Sequence, residues 1–549
     1  MLLIECSNVK KYFGDRLVLS VENLKIYSED RIGIIGVNGV GKTTLMNILS
    51  QRLAPDEGWV KLYGNCGYIS QLEQPEHRII GAEMASRFKV PEVWHEYMSG
   101  GEKTRFKLAQ SLNDENLLIF ADEPTSNVDM EGIALMEARL AEYKGALILI
   151  SHDRDFLDKL CNKIVEVEDG KIKVYNGNFS DYHGQKMKER DRLQFEYEQY
   201  VKEKKHLEEA IDHTKEKIKG MRKTPKRMGN SEARLHKMGN QKAKANLDKA
   251  VKSIESRIEQ LEVKEKPKKQ ERMKLDVEDV KKLYSKVIIE GQNISKDFGE
   301  KVIFKNAEFS IYNGTKVALI GPNGCGKSTL IKMIMNRDHN IRIAQGAKIG
   351  YFSQDLGILE EECTIIENVM KTSIYQETFV RILLARLLFT GEAVYKKVRV
   401  LSGGERVKVA FAKILVQDIN LLILDEPTNY MDINSLEVIE EALREYDRTL
   451  LVVSHDRRFV SAVADRIMTI ENQKIKMFAG SYQEYLESLN RCLDDQEESE
   501  KQICVLENRL SEIVGRLSMP SKKDDIAALD KEYYEVLGEI NRLKASNKK

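Results

Sequence analysis

The chain of 549 residues has little of what stabilises secreted or metal-binding domains. Its seven cysteines are scattered and form no C-x-x-C pair, which argues against a structural zinc site, an iron–sulfur cluster or a disulfide framework. No apolar run approaches the ~18 residues needed to cross a bilayer, and the first residues enter a strand-like pattern without a basic and apolar leader. We therefore expect a cytoplasmic protein without a membrane span.

The chain also lacks net charge, since 87 basic residues balance 87 acidic ones. Charge is nevertheless concentrated in one place: positions 215 to 249 hold twelve Lys or Arg and three acidic residues, a net of +9, so the remainder carries −9. A charge run on an exposed helix is usually a solvated face, and that alternative stays open. A polyanion such as RNA would gain from this concentration by phosphate neutralisation, so we predict RNA binding here.

Amphipathic helical patterns lie on both sides of the basic segment. Apolar residues recur there at spacings of three and four, the period of one helical face. The first pattern includes Leu193, Leu207, Ile211 and Ile218, and the second includes Leu247, Val251, Ile254, Ile258 and Leu261. Two helices of about 30 residues joined by a turn predict an antiparallel coiled hairpin that projects about 45–50 Å. We expect its tip to contact RNA through Arg222, Lys223, Lys226, Arg227, Arg234, Lys237, Lys242 and Lys244.

A complete phosphate-binding motif precedes this hairpin. A short apolar run from Arg31 ends at Gly36, and G-x-x-x-x-G-K-[ST] follows directly. In such a loop the glycines let backbone N–H groups face the phosphates, Lys42 adds a positive charge, and the Thr43 hydroxyl can ligate Mg²⁺. The strand-to-helix setting makes a chance match improbable.

Further strand ends carry the remaining chemistry. Asp122 and Glu123 end one apolar strand, so that Asp122 could hold magnesium while Glu123 polarises an attacking water. Another strand delivers His152, which could contact the γ-phosphate, and Gln71 could reach the metal or the water. Ser99 begins a Ser-Gly-Gly-Glu motif at a helix start, where a phosphate could bind.

The second half of the chain repeats the whole set. Lys327, Gln354, Ser402, the Asp425-Glu426 pair and His455 occur in the same order. Phe13 and Phe298 each precede the motif lysine by 29 residues. They are matched candidates for stacking on adenine, although an ordinary core position would fit either phenylalanine almost as well.

The repeated motifs resemble the Walker A, Q-loop, signature, Walker B and H-loop motifs of ATP-binding-cassette ATPases. In that family the signature of one cassette serves the nucleotide held by the other, so the resemblance implies two composite sites for ATP and Mg²⁺. It implies catalytic roles for Glu123, Glu426, His152, His455, Gln71 and Gln354, and magnesium ligation by Thr43, Gln71, Asp122, Ser328, Gln354 and Asp425. The implied ATP-binding residues are Phe13, Gly36, Asn38, Gly39, Gly41, Lys42, Thr43, Thr44, Ser99, Gly101, Phe298, Gly321, Asn323, Gly324, Gly326, Lys327, Ser328, Thr329, Ser402 and Gly404.

The motif positions divide the chain into four parts. We predict an α/β protein with two tandem ABC-type P-loop ATPase domains, residues 1–185 and 285–490, joined by an antiparallel coiled-coil hairpin at 186–284. A C-terminal helical hairpin is expected at 491–549. Gln71 lies 28 residues before Ser99, whereas Gln354 lies 48 before Ser402, so the first cassette has a shortened helical subdomain. Since transporter cassettes receive a membrane subunit at that subdomain, the shortening weakens a transport role.

Paired cassettes with a basic coiled linker resemble the ABC-F family of translation-associated ATPases, and the tail resembles that of the Vga-type antibiotic-resistance proteins. This resemblance implies a monomer that binds the bacterial ribosome when ATP closes the cassettes. Its linker tip would approach 23S rRNA near the peptidyl-transferase centre, with P-site tRNA as a further candidate contact. Lincosamide, pleuromutilin and streptogramin A drugs would be displaced.

Two alternatives stay open at this point. A housekeeping translation factor of the same family would bind ribosomes without a drug role. An ATPase subunit of a transporter would instead associate with membrane chains encoded separately. A third hypothesis, a DNA-maintenance clamp with coiled-coil arms between half-cassettes, is disfavoured. Each cassette here has its full set of motifs on one side of the coil.

Overall fold

The computed structural model describes residues 1–70, 74–75, 77–113, 116–126, 128–220, 230–264, 285–299, 301–353, 357–429, 431–518 and 526–546. Two α/β domains, here called the first and second cassettes, stand on either side of a long helical hairpin. A second helical hairpin follows the second cassette. This architecture confirms the predicted fold class.

The first cassette contains a nine-stranded sheet in the order β4-β1-β2-β9-β8-β3-β7-β6-β5. Its elements are β1 (Leu2–Phe13), β2 (Arg16–Tyr27), β3 (Arg31–Ile35), α1 (Lys42–Leu49), β4 (Glu57–Leu62), β5 (Cys66–Ile69), α2 (Ala82–Phe88), α3 (Gly100–Asn113), β6 (Leu118–Asp122), α4 (Met130–Glu142), β7 (Ala146–Ile150), α5 (Arg154–Leu160), β8 (Lys163–Glu168) and β9 (Lys171–Asn176). Strands β8, β3, β7, β6 and β5 run parallel. Because they run parallel, their carboxyl ends meet at one edge of the sheet, where the predicted motifs begin.

Buried apolar residues explain why these strands form. Every residue of β6 and of β7 is buried, the pattern expected of parallel strands that helices cover on both faces. One cluster of buried side chains lies on each face of the sheet, with Phe106 and Phe156 on one and Phe120 on the other. The strand ends that carry the motifs are therefore anchored in a closely packed core.

The second cassette repeats this plan in two sheets, ordered β14-β15-β16-β12-β17-β18 and β11-β10-β13. Helices α6 and α7, described below, precede its elements, which are β10 (Val287–Phe298), β11 (Lys301–Tyr312), β12 (Lys316–Ile320), α8 (Lys327–Met335), β13 (Ile341–Ile343), β14 (Ile349–Phe352), α9 (Ile365–Met370), α10 (Glu377–Arg386), α11 (Gly403–Leu415), β15 (Leu421–Asp425), α12 (Ile433–Glu445), β16 (Thr449–Val453), α13 (Arg457–Val463), β17 (Arg466–Glu471) and β18 (Lys474–Ala479), with 3₁₀ turns at Gly391–Tyr395 and Val398–Val400. Strands β14, β15, β16, β12 and β17 run parallel.

The helical region before the signature differs between the cassettes. In the first cassette, α2 is the only helix between β5 and α3 within the described residues. In the second, α9, α10 and two 3₁₀ turns lie between β14 and α11. The buried side chains of α9 and α10, such as Ile365 and Leu384, enlarge the core of the second cassette.

The hairpin between the cassettes consists of α6 (Phe179–Gly220) and α7 (Asn230–Gln260). Helix α6 has 42 residues, which is longer than the roughly 30 expected from its amphipathic pattern. The reason is that its first turn belongs to the first cassette, where Phe179 and Tyr182 are buried in the core. At ~1.5 Å per residue, α6 spans roughly 63 Å.

Apolar contacts hold the two linker helices together. Leu207 and Ile211 of α6 and Val251 of α7 are buried. Among the predicted RNA contacts, Arg234, Lys237, Lys242 and Lys244 lie on α7, and Lys244 is exposed. The predictions for Arg222, Lys223, Lys226 and Arg227 fall outside the described residues.

The C-terminal hairpin consists of α14 (Tyr482–Ser518) and α15 (Ile526–Ser546). Ile513, Val536 and Ile540 form a small buried cluster between these helices. Throughout the described part of the chain, each helix is too short or too polar to cross a membrane.

Shortening the side chain of Leu207 should loosen the linker hairpin without affecting the cassettes. Leu207→Ala removes buried apolar atoms from the contact between α6 and α7, at a cost of about 2–3 kcal/mol in local opening free energy. We expect faster amide hydrogen exchange along α6 and α7. Lys205→Ala is the matched control, because the Lys205 side chain is 74% exposed. Equal exchange in the two variants would contradict the helix pairing.

Candidate active sites

The phosphate-binding loops follow β3 and β12. Gly39 and Gly41 have φ angles of 78° and 107°, and their counterparts Gly324 and Gly326 have 77° and 114°. Glycine adopts this left-handed region without strain, whereas other residues rarely do. Helices α1 and α8 begin immediately after these loops, so their N-terminal N–H groups face the loop. Thr43, Thr44, Ser328 and Thr329 lie in the first turns.

A lysine amine lies inside each loop. Lys42 Nζ lies 2.7 Å from the Gly36 carbonyl oxygen and 3.2 Å from Asn38 Oδ1. Lys327 Nζ lies 2.8 Å from the Gly321 carbonyl oxygen. Burial lowers the pKa of Lys42, while the nearby Glu123 opposes that shift. Each loop therefore has a positive charge directed at the place where phosphates would bind.

Carboxylates end the equivalent strands β6 and β15, each separated by one strand from the strand that leads into its phosphate-binding loop. Asp122 and Asp425 are buried, and burial raises the pKa of both. The Thr43 side chain hydrogen-bonds to Asp122. Hydroxyl and carboxylate oxygens are the ligands that Mg²⁺ takes in proteins, so this pair fits the metal. The predicted ligands Gln71 and Gln354 lie outside the described residues.

The next residue on each strand is a glutamate in an unusual backbone conformation. Glu123 and Glu426 have φ angles of 51° and 49°. The Glu123 amide donates to the Ile150 carbonyl oxygen at 2.9 Å, and the Glu426 amide donates to Val453 at the same distance. Non-glycine residues held in this region cluster at active sites, because the surrounding structure must offset the strain.

A histidine lies beside each glutamate. His152 Nε2 is 3.3 Å from Glu123 Oε1, and His455 Nε2 is 3.3 Å from Glu426 Oε1. Burial raises the pKa of both glutamates to about 8. It lowers the pKa of His152 to about 3 and that of His455 to about 4, so both imidazoles are neutral near pH 7. Two buried acid–imidazole pairs thus lie at equivalent places.

The cavity over the first loop draws residues from both cassettes. It has a volume of about 570 Å³ and is lined by Phe13, Lys42, Asp122, Glu123 and His152 of the first cassette. Gly403 and Gly404 of the second cassette complete its wall. They begin α11, and Ser402 immediately before them caps that helix. The structure therefore places the second signature against the first phosphate loop.

The cavity over the second loop is built differently. It also has a volume of about 570 Å³, and Phe298, Lys327, Glu426 and His455 line it. The first cassette contributes Thr125, Ser126 and Val128, which lie between β6 and α4. Of the described residues, those lining this cavity do not include Ser99 or Gly101. Those two residues lie at the start of α3, where Ser99 is exposed.

The two aromatic candidates are not core residues. Phe13 and Phe298 are 54% and 60% exposed, and each lines the cavity of its own cassette. Exposed aromatic side chains that line a cavity are suited to stacking on a base. The structure therefore disfavours the alternative of ordinary core positions.

Both signature serines form capping boxes. The Ser402 hydroxyl donates to Glu405 Oε2 at 2.8 Å, and the Glu405 amide donates back to Ser402. Ser99 and Glu102 make the same contacts, and the Ser99 hydroxyl holds the pKa of Glu102 below its usual range. The pairing orients each helix start.

The sequence patterns did not predict the ion pairs that join the cassettes. The buried Arg154 guanidinium pairs with Glu440, with Nη1 and Oε2 at 3.1 Å. Arg457 donates through Nη1 to Glu137 at 2.9 Å and through Nη2 to the Met130 carbonyl oxygen at 3.0 Å. The motif Ser-His-Asp-Arg occurs in both halves of the sequence and marks both arginines. The residues around each motif do not indicate which distant carboxylate the arginine contacts.

The aspartate at the start of α4 makes a further contact between cassettes. Asp129 Oδ2 accepts a hydrogen bond from the Asn323 amide in the second phosphate loop at 2.9 Å. Its other oxygen caps α4 by accepting from the Gly132 amide at 3.0 Å. Asp432, the equivalent residue, lies at the start of α12 and accepts from Lys408 Nζ at 2.6 Å.

Comparisons with known families agree with the fold. A family profile described as ABC transporter matches residues 19–96 and again 304–429, and a second profile of the same description matches 165–244. The ribosome protection protein VmlR of Bacillus subtilis is 31% identical over 559 residues, covering 100% of this chain and 99% of the relative. The erythromycin resistance ATP-binding protein MsrA of Staphylococcus epidermidis is 31% identical, covering 86% of this chain and 98% of the relative.

A further relative and a solved structure also match most of the chain. The ABC transporter F family member 5 of Arabidopsis thaliana is 29% identical over 88% of this chain and 77% of its own length. The structure of archaeal ribosome recycling factor aABCE1 in complex with ribosomal stalk protein aP1 aligns with a TM-score of 0.58. It covers 89% of this chain and 92% of that one at 19% identity, which supports the fold alone.

A carboxylate placed in the second signature should impair nucleotide binding at the first loop. A Cβ at Gly403 would meet no atom within 4 Å, so Gly403→Asp fits the fold. The new charge would face the phosphates, and we expect ATP affinity at the Phe13 site to fall at least about tenfold. Photo-crosslinking of an ATP analogue, mapped to each cassette, measures this.

Gly81→Asp is the matched control for this prediction. Gly81 also has open space around its Cβ position, and it caps α2 away from both cavities. Unchanged labelling of the first cassette in Gly403→Asp would refute the composite cavity.

Proposed function

The chain belongs to the ABC-F family of ATP-binding-cassette ATPases, and from this we propose that it is a ribosome-protection ATPase that displaces antibiotics from the bacterial ribosome. The observation that carries the proposal is the likeness to VmlR, named a ribosome protection protein, over the whole chain. That likeness includes the linker and the tail as well as the cassettes. The +9 charge of the linker segment supports an RNA partner.

ATP binding would close the cassettes, because residues of both line each cavity. Lys42 and the loop amides would bind the phosphates in the first site, with Phe13 on the adenine and Gly403 and Gly404 opposite. Lys327 and Phe298 would act likewise in the second site. A nucleotide that touches both cassettes favours the closed arrangement by its differential affinity.

Hydrolysis would depend on the glutamate and histidine pairs. Glu123 and Glu426 are the proposed general bases, each held about one hydrogen-bond length from a neutral histidine. Thr43 with Asp122, and Ser328 with Asp425, would hold Mg²⁺, which supplies charge neutralisation at the phosphates when bound. Hydrolysis would release the contact between cassettes and thus the protein from the ribosome.

The linker would convert closure into drug displacement. Helix α6 begins in the core of the first cassette, and α7 precedes the second cassette along the chain, so closing the cassettes would reorient the hairpin. We propose that the tip moves toward 23S rRNA near the peptidyl-transferase centre, with P-site tRNA as a further contact. Both composite sites form within one chain, which suits a monomer, and ribosome binding would place it in the cytoplasm.

Removing both proposed bases should trap the protein on the ribosome. Glu123→Gln with Glu426→Gln keeps the cavity shape but removes the groups that would activate water. With ATP present, we expect most of the double variant to cosediment with 70S ribosomes. Lys42→Ala with Lys327→Ala is the matched control, since loss of phosphate binding should abolish cosedimentation. Rapid dissociation of the trapped variant in ATP would contradict the proposal.

Neutralising the linker tip should weaken ribosome binding in a salt-dependent way. If Arg222, Lys223, Lys226 and Arg227 each contact a phosphate, replacing all four with Gln should reduce the slope of log affinity against log salt by about 3. Tolerance to lincosamides, pleuromutilins and streptogramin A should fall in the same variant. Erythromycin belongs in the panel because the relative MsrA is named for resistance to it.

Four exposed cassette lysines provide the control for this charge change: Lys396, Lys397, Lys474 and Lys476. Their replacement by Gln should leave the salt slope and the drug tolerance unchanged. Ribosome binding that depends on the tip, without any change in drug tolerance, would indicate a translation factor with no drug role.

A further inference from the structure

The first turn of α13 connects three parts of the molecule. His455, which faces Glu426, lies two residues before this helix. Arg457 crosses to Glu137 and Met130 of the first cassette. Arg458, the next residue, points to the place where the linker begins. Three residues within four positions thus join the ATP site, the cassette interface and the linker.

Arg458 makes four contacts beyond its own cassette. Its Nε lies 2.5 Å from Asp155 Oδ1, and its Nη2 lies 3.1 Å from Asp158 Oδ2. Nη2 also lies 3.4 Å from the Ser180 hydroxyl oxygen. The guanidinium carbon lies 5.5 Å from the centre of the Phe179 ring. Phe179 and Ser180 are the first two residues of α6, so Arg458 contacts the base of the linker directly.

Asp158 anchors the same turn. Its Oδ1 accepts from the Ser180 amide at 2.7 Å, and its Oδ2 accepts from the Ser180 hydroxyl at 2.8 Å. A carboxylate that caps a helix start stabilises it and fixes its direction. Because Arg458 binds the carboxylate that performs this capping, any shift of α13 acts on the cap of α6.

The two cassettes differ at this position. Asp155 and Arg458 are 303 residues apart, and Glu123 and Glu426 have the same separation. Asp155 and Arg458 therefore occupy equivalent positions in the repeat. The first cassette has Asp at this position and the second has Arg. The tail helix α14 begins at Tyr482, the equivalent of Phe179, and there Glu484 caps the Ser481 amide at 2.7 Å. Asp181 accepts from the Asn178 amide in the same way at 3.2 Å at the start of α6. Within the described residues, the contacts of Arg458 with Asp155 and Asp158, here called the arginine clamp, are therefore an addition at the linker helix.

A second contact joins α6 to the second cassette. His183 Nδ1 lies 3.6 Å from Glu437 Oε1 on α12, the helix that Asp432 begins. Ile433 of α12 packs against the cluster that contains Phe179 and Tyr182. The base of α6 thus contacts two helices of the second cassette, α12 and α13.

We propose that Arg458 is a positioning residue that transmits closure of the cassettes to the linker by holding the Asp158 cap of α6. When the cassettes close, α13 brings the guanidinium onto Asp155, Asp158 and Ser180 and fixes the direction in which the hairpin leaves the first cassette. The inference rests on the ATP-driven closure in the proposed function, but it does not require the ribosome. It predicts that a linker can become uncoupled from cassettes that still close.

Amide hydrogen exchange of the full chain, with and without ATP, tests this in the Glu123→Gln and Glu426→Gln background. In that parent we expect ATP to slow exchange both at 128–140, in the interface, and at 180–190, in the linker base. Arg458→Gln should remove about tenfold of the slowing at 180–190, as expected for the loss of hydrogen bonds to a charged group. The slowing at 128–140 should persist, and Arg458→Lys should restore part of the linker response.

Two controls separate the clamp from a general loss of stability. Asp155→Asn removes the charge of the other α5 carboxylate that Arg458 contacts and leaves the Asp158 cap of α6 in place. Slowing at 180–190 should therefore stay within about twofold of the parent. Arg491→Gln removes an arginine whose side chain is 78% exposed, and it should change neither segment.

Three other outcomes would contradict the proposal, and each would identify a different cause. Full linker slowing in Arg458→Gln would show that the residue transmits nothing. Equal loss at 128–140 and 180–190 would assign it a role in the interface only. If ATP slows neither segment in the parent, closure itself is absent, and the proposed function fails together with this inference.

Discussion

The proposed activity depends on two nucleotide cavities, and residues of both cassettes line each of them. Two ion pairs fix the position of one cassette against the other: Arg154 with Glu440, and Arg457 with Glu137. All four side chains are at most 14% exposed. Such pairs add little net stability, because desolvating the charges offsets much of their attraction. Their value lies in geometry, since a mismatched interface would leave a buried charge without a partner. They therefore specify one arrangement of the cassettes.

The same arrangement controls the chemistry. Burial raises the pKa of Glu123 and Glu426 to about 8 even though a nearby lysine opposes the shift, so each carboxyl is mostly protonated near neutral pH. Lys42 and Lys327 are the cations that oppose this shift. A carboxyl with a raised pKa can accept a proton from water only after further positive charge nearby lowers that pKa. In the proposed mechanism, hydrolysis would thereby require a closed and fully assembled site.

Charge is distributed unevenly between the linker segment and the rest of the chain. The cassettes and tail together balance the excess of basic residues in the linker segment. An RNA surface would thus attract the linker and not the cassettes, which orients the protein as it approaches. Arg458 lies at the junction of these parts, where the second cassette contacts the base of the linker helix α6.

Much of the fold and of the candidate sites could be predicted from the sequence because their signals are local. Glycine spacing requires the left-handed turns of Gly41 and Gly326, and apolar strands that end in Asp-Glu or His must meet at one edge of a parallel sheet. Only the tertiary structure decided which signature faces which loop, with Gly403 and Gly404 in one cavity and Ser99 in neither lining described. It also decided that α6 begins at Phe179 and that Arg154 and Arg457 reach the opposite cassette. The contacts between cassettes depend on packing between residues about 300 positions apart, and a local sequence pattern does not indicate which distant residues will meet.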